Sequence, residues 1–216
     1  MVSRVLYRPF EAEDFDSVAL ILERLWHYRS DDDTYNHLEA QCDLAYCLSC
    51  STFSQVAVID GSVRGVVLAR FGNPSGGAGA RASEHWIDVE RELLCQMREV
   101  APEDCAEYLS FVRATIKTNN RLLEDGGVSP ANEVTLLAVD REVQGLGVGT
   151  VLLDAAVSHL SAQGASTAHL YTDTNCSWKF YESRGFKRTA THRTDRSERL
   201  RDLPREMYLY ELDLNA

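Results

Sequence analysis

The stretch Glu133-Val134-Thr135-Leu136-Leu137-Ala138-Val139-Asp140, followed closely by Gln144-Gly145-Leu146-Gly147-Val148-Gly149-Thr150, decides how this chain is read. Glu133–Val139 is rich in Val and Leu and predicts a strand. The alternating glycines predict a tight turn. Thr150–Gln163 carries Val151, Leu152, Ala155, Ala156 and Leu160 at helical spacing, Gly164 supplies the cap, and Thr167–Thr172 predicts a second strand, which makes a β-loop-α-β unit. The backbone N–H groups of such a turn, backed by a helix N-terminus, form an anion site suited to a pyrophosphate, and a Cβ there would obstruct the phosphate oxygens. The dinucleotide fingerprint needs G-x-G-x-x-G on a first strand with an acidic residue about 20 positions on. Here the spacing is G-x-G-x-G late in the chain, and no Gly-Lys-Ser/Thr completes a P-loop. A nucleotide-binding oxidoreductase is therefore disfavoured.

Upstream, Val2–Tyr7 predicts a strand, Glu13–Tyr28 and Tyr35–Cys50 predict amphipathic helices, and Gln55–Ile59 with Val63–Phe71 predict a hairpin turned at Asp60-Gly61-Ser62. Gly72–Arg81 is glycine-rich and predicts an exposed loop, the strongest linker candidate in the chain. Two apolar stripes follow, one through Trp86, Val89, Leu93, Met97 and Val100 and one through Leu109, Val112, Ile116 and Leu123. With Pro102 between them, they predict a helical hairpin ending at Gly126-Gly127. Downstream, Asn175–Arg184 predicts a short helix closed by Gly185. Phe186–Arg193 and Arg205–Leu214 predict strands on either side of a charged loop.

The chain has 216 residues, long enough for one substantial core, and its formal charge of −11 disfavours nucleic acid and anionic lipid as partners. Within Glu84–Glu107 eight residues are acidic and two basic, so over half of the excess lies in the predicted hairpin. No run approaches the ~18 apolar residues of a membrane span. The six cysteines read as reduced thiols in a cytoplasmic protein, because no apolar signal core opens the sequence. Cys47-x-x-Cys50 lacks the two further ligands that zinc requires, so it reads as two small buried helix residues and no metal is expected.

Taken together, Leu137-Ala138-Val139-Asp140, Gln144-x-x-Gly147-x-Gly149 and Asn175…Phe180-Tyr181-Glu182-Ser183-Arg184-Gly185-Phe186 resemble the GCN5-related N-acetyltransferase (GNAT) superfamily. They match its Q/R-x-x-G-x-G/A pyrophosphate loop and its Y-E-x-x-G-F element. The motifs lie within about sixty residues, Asn132 to Thr191, and the upstream strand-helix-helix-hairpin order fits the family as well. The resemblance implies an α/β (α+β) fold, a mixed sheet of about seven strands flanked by helices. It also implies a single domain over 1–216, with 72–131 as a loop-plus-hairpin insertion between the third and fourth strands.

The activity implied is acetyl transfer from acetyl-CoA, as co-substrate, to a primary amine of a small molecule or peptide, by direct attack in a ternary complex. The alternative is a non-catalytic acyl-CoA-binding sensor. The pantetheine arm is expected along Leu137, Ala138 and Val139, the pyrophosphate on the amides around Gln144, Gly145, Leu146, Gly147, Val148, Gly149 and Thr150, and Asn175 near the cofactor. An asparagine at that position also fits a helix N-cap. Tyr181 is the implied general acid, and Glu133 the implied base, with His169 or water as alternatives. The backbone amide of Leu137 is the implied oxyanion donor. The acidic hairpin is expected to wall the acceptor site and favour a cationic amine, to form a homodimer contact, or simply to lie solvated on the domain.

Overall fold

The computed structural model describes residues 4–72 and 80–215. Its seven strands are β1 (Val5–Arg8), β2 (Phe53–Ile59), β3 (Ser62–Arg70), β4 (Glu133–Val139), β5 (Thr167–Asp173), β6 (Lys187–Arg193) and β7 (Glu206–Asp213), and they form one sheet in the order β1-β2-β3-β4-β5-β7-β6. All neighbours run antiparallel except β4 and β5. The helices are α1 (Phe15–Trp26), α2 (Asp33–Ser49), α3 (Ala80–Val100), α4 (Pro102–Gly126), α5 (Val148–Ala162), α6 (Lys179–Ser183) and α7 (Arg196–Arg199).

Local chemistry sets most of these boundaries. The β2–β3 hairpin turns through Asp60 at φ +51° and Gly61 at φ +81°, the pair of positive-φ residues that a two-residue loop with the sheet's twist requires. Asp32 caps α2 by accepting from the Thr34 and Tyr35 amides at 2.8 and 3.3 Å. Pro102 opens α4, and left-handed Gly127 closes it, with the Val128 amide bonded back to the Leu123 carbonyl.

Alternation along the strands divides the core into two layers. On β3, Val66 and Leu68 pack under α1 and α2, whereas Val67 and Ala69 pack against Leu152, Leu153, Ala156 and Leu160 of α5. On β4 the alternation breaks. Val134 faces α5, yet Leu136 and Ala138 face α1, because the β3–β4 register slips between Leu68–Leu136 and Ala69–Val134 and leaves Thr135 as an extra residue. Such a bulge reverses which face each later side chain occupies, and here it turns Leu137 and Val139 toward α5. α4 covers Met207 and Leu209 of β7 on the α1 side, and α3 bridges α2 and α4 through Leu93, Met97 and Cys105.

Four expectations change. α5 starts at Val148, two residues before Thr150, because Gly147 at φ +83° can serve as its N-cap. The helix expected over Asn175–Arg184 shrinks to Lys179–Ser183. The chain before it is held in turns by Asp173, whose carboxylate accepts from the Asn175 amide at 2.6 Å and whose carbonyl accepts from the Cys176 amide, so Asn175 is no helix cap. The loop expected over Gly72–Arg81 falls mostly outside the described residues, and its last two positions already belong to α3. The charged loop before β7 also folds a turn of helix, α7. All six cysteines are free thiols, with Cys42, Cys47 and Cys105 buried.

His27 follows α1 and is buried between two carboxylates of α2, Glu39 at 2.8 Å and Asp43 at 3.3 Å. Burial alone would lower its pKa, but the two carboxylates outweigh burial and lift it to about 9. Because the folded value lies above the unfolded 6.5, the contribution, about 3 kcal/mol, is complete below pH 6.5 and fades as pH rises through 9. We predict that His27→Gln lowers the unfolding free energy at pH 6 by about 3 kcal/mol. The gap between variant and wild type should narrow in urea titrations repeated up to pH 10.

Candidate active site

β4 and β5 share a single residue pair, Glu133 with His169, and then diverge. Beyond that pair no ladder joins them, and a cavity of about 790 Å³ occupies the fork. Its lining comes from both helical layers. Leu25 and Trp26 at the end of α1 and Thr115 and Asn119 of α4 lie on one side. Gln144, Gly145, Gly147, Gly149, Phe180 and Tyr181 lie on the α5 side, and Val134–Val139 and Leu170–Asp173 form the two arms. The cavity therefore passes through the sheet.

The glycine turn stands at one end. Gly145 and Gly147 hold φ of +82° and +83°, which an L side chain would strain, and Gly149 sits where a Cβ would lie 3.4 Å from Val139 Cγ2. The Gln144 amide group donates to the Val139 carbonyl at 3.0 Å and ties the turn to the strand end. Thr150 lines the cavity, whereas Leu146 projects outward, 73% exposed, and Val148 is buried in the core. These surroundings fit an extended phosphorylated ligand: free backbone along β4, then amides at the start of a 15-residue helix.

Tyr181 lines the cavity, and burial raises its pKa above the ordinary phenol value, with further upward pushes from Cys176 and Asp173. It is protonated at neutral pH. Asn175 is exposed and lies on the rim, with no side-chain hydrogen bond among those found for the described residues.

Glu133 and His169 lie at the closed end of the fork, outside the lining set. Arg70 grips Glu133 at 2.7 Å and the Pro130 carbonyl at 2.8 Å. Burial raises the Glu133 pKa in spite of that cation. His169 Nδ1 donates to the Ala131 carbonyl at 3.1 Å, and burial lowers its pKa to about 4, so the ring is neutral with Nε2 unpartnered, 3.9 Å from Glu133.

Four of the lining residues that the sequence reading did not single out as site candidates carry polar groups of note. Among the described residues, Asp173 is the one carboxylate on the lining, and burial raises its pKa. Cys176 stands beside it, its thiol pushed up to about 12 by burial and by Asp173. Thr115 Oγ1 and Asn119 Oδ1 are closed off from solvent without a hydrogen-bond partner. In the sequence these two were polar positions four apart beside the apolar stripe of α4, a pattern that ordinarily marks a solvated face.

The hairpin therefore does reach the cavity, through neutral residues. None of the eight acidic residues of Glu84–Glu107 lines it. Asp104 accepts from the Ser30 hydroxyl, Asp88 pairs with Arg91, and Glu90 lies partly buried near Asp43. The expectation that this acidity forms the acceptor wall is corrected, because α3 and the start of α4 pack onto α2, away from the fork.

Residues 107–208 match the family model described as an acetyltransferase (GNAT) domain, a match that begins within α4. The mycothiol acetyltransferase of Kocuria rhizophila is 33% identical over 111 residues, 50% of this chain and 33% of that protein. That of Nocardiopsis dassonvillei is 41% identical over 108 residues, 49% of this chain and 30% of that protein. The chain thus spans about a third of the length of these relatives. The ribosomal-protein-S18-alanine N-acetyltransferase of Escherichia coli superposes with a TM-score of 0.56 at 12% identity, covering 98% of this chain and 94% of that one, which is a likeness of fold.

The ion pair at the closed end generates a prediction. Arg70→Met strands the Glu133 carboxylate and should cost about 3 kcal/mol in urea unfolding at neutral pH, with the deficit shrinking at lower pH as Glu133 takes a proton. Adding Glu133→Gln should recover most of the loss.

Proposed function

With residues 107–208 matching a GNAT acetyltransferase domain and the described chain carrying the GNAT fold, we propose that this protein transfers acetyl from acetyl-CoA to a primary amine of a small molecule or peptide. The observation that carries the reading is the forked sheet. Beyond Glu133, the edge of β4 that faces β5 has no partner and leads directly into a positive-φ glycine turn at a helix N-terminus, and a half-buried, protonated tyrosine stands on the same cavity.

Acetyl-CoA supplies the acetyl group as a thioester. The pantetheine amides find hydrogen-bonding edges along Leu137–Val139, and the pyrophosphate finds the amides of Gly145 to Thr150. Tyr181 holds a proton for the departing thiolate. The Leu137 amide is the proposed donor to the developing oxyanion. A proton must also leave the attacking amine, by direct contact or through one water. Asp173 is the carboxylate placed to take it, and its raised pKa improves it for that task. Glu133, held by Arg70 outside the lining, reaches an amine only through water. Cys176 stays a thiol at neutral pH, which favours direct attack over an acyl-cysteine intermediate.

Acetyl-CoA should raise the melting temperature and NAD should not. In a thiol-release assay over amines, amino acids and peptide N-termini, Tyr181→Phe should lower kcat by about 100-fold while acetyl-CoA still binds. Asp173→Asn should abolish the acid limb of the kcat/KM profile, because activity falls as pH drops through the raised pKa of that carboxylate. Binding of acetyl-CoA with no thiol release from any amine would instead establish a sensor.

A further inference from the structure

Near the end of the chain the charge changes sign. Over residues 184–206 eight side chains are basic and four acidic, in a chain whose formal charge is −11. The loop that joins β6 to β7 carries much of this excess, and its own carboxylates are engaged. Asp195 and Glu198 cap α7 reciprocally, Glu198 lies 3.0 Å from His192, and Asp202 pairs with Arg29 at 3.4 Å. Arg193 pairs with Glu206 at 2.8 Å. Arg196, Arg201 and Arg205 are exposed and have no ion-pair partner among the described residues. The loop is pinned in place, because the Thr194 hydroxyl donates to the Pro204 carbonyl at 2.8 Å and Leu203 is buried with Met207 beside α4. It stands at the rim of the cavity. Met207 lines that cavity in register with Asp173, and Arg29 comes three residues after the lining Trp26. Arg205 precedes Met207 by two residues, about 7 Å of extended chain.

We propose that this loop is a docking surface for an acidic peptide segment, the carboxylates of which lie a few residues from the amine that enters the cavity. The inference rests on the acetyl-transfer reading and adds the class of acceptor. Guanidinium groups present a planar fork of donors that matches a carboxylate, and three of them here have no partner within the protein to compete for it. Spread over ten positions of the loop, they suit several carboxylates along an extended chain better than one small acid. An extended peptide covers about 10 Å in three residues, enough to join the lining at Met207 to the arginines beyond it. The charge of the rest of the chain repels such a segment, so its approach is steered to this loop. Leu200, 79% exposed between Arg199 and Arg201, gives the surface an apolar centre within a polar rim.

The test uses the full chain, acetyl-CoA and peptides of one length, labelled at the C-terminus. Each begins Ser-Gly with a free amine and continues with a run of Asp and Glu, of Asn and Gln, or of Lys. The wild type should favour the acidic peptide over the neutral one by about tenfold in kcat/KM at low salt, and the advantage should shrink in high salt. The Arg196→Gln/Arg201→Gln/Arg205→Gln triple variant, altered only at exposed positions, should bring that ratio to about one. Its turnover of the neutral peptide and its acetyl-CoA affinity should match the wild type. A ratio that the triple variant leaves unchanged, or a wild-type preference for the neutral or lysine peptide, overturns the docking surface and leaves acetyl transfer standing. Fluorescence anisotropy reads docking without chemistry. With CoA present, the acidic peptide should bind the wild type about tenfold more tightly than the triple variant, and equal binding overturns the proposal. Loop-dependent binding with no acetylation of any peptide sustains the docking surface and overturns acetyl transfer to peptides. Single-stranded DNA that displaces the acidic peptide and loses its own affinity in the triple variant would assign the loop to nucleic acid. A dimer in sedimentation that the triple variant dissolves would assign it to a second copy of the chain, and either result overturns the proposal.

Discussion

The cavity at the centre of this protein depends on two parallel strands that pair once and then part. A continuous β4–β5 ladder would satisfy its own backbone and fill the space between the arms with side chains. Stopping it after Glu133 and His169 leaves backbone available along β4 and opens a passage from one helical layer to the other. Separation is sustained because each arm is held on its far side: β4 by β3 through Arg70–Glu133 to Gly65–Val139, and β5 by β7 along its whole length. At the closed end, Arg70 and the Ala131 carbonyl hold Glu133 and His169 in place.

The extra residue Thr135 shapes the open arm. By reversing the alternation it sends Leu137 and Val139 toward α5 and keeps Leu136 and Ala138 under α1, so both faces stay sealed while the edge stays free. Thr135 is itself tethered, its hydroxyl 2.6 Å from that of Ser51. The glycine turn then reverses the chain within a few residues and aims the start of α5 at the same cavity. Strand edge and helix N-terminus thus become one continuous surface.

Charge and function separate more cleanly than composition implies. The acid excess lies largely on α3 and the start of α4, where it faces α2 and solvent, and among the described residues the cavity keeps one carboxylate, Asp173. The helical pair still matters to the site, because α4 packs on Met207 and Leu209 and so reaches the fork. Its contribution there is shape and uncharged polarity.

The sequence by itself determined the elements with strong local causes: the β4–turn–α5–β5 unit, the Asp60-Gly61 hairpin, the capped helices and the glycines whose positive φ the turn needs. Their signals lie within a few residues of each other, and the motif order sufficed for the resemblance. Only the tertiary structure decided what depends on distant partners. Glu133 was the base that the resemblance implied, and its pairing with Arg70, sixty-three positions away, is nothing a local window shows. Asp173 and Cys176 gained their place on the wall when the expected helix shortened to α6. Thr115 and Asn119, which no sequence signal singles out, reach the fork only through the packing of α4 across β7. Burial and pairing belong to the assembled sheet and its covering helices, and no local window of residues contains them.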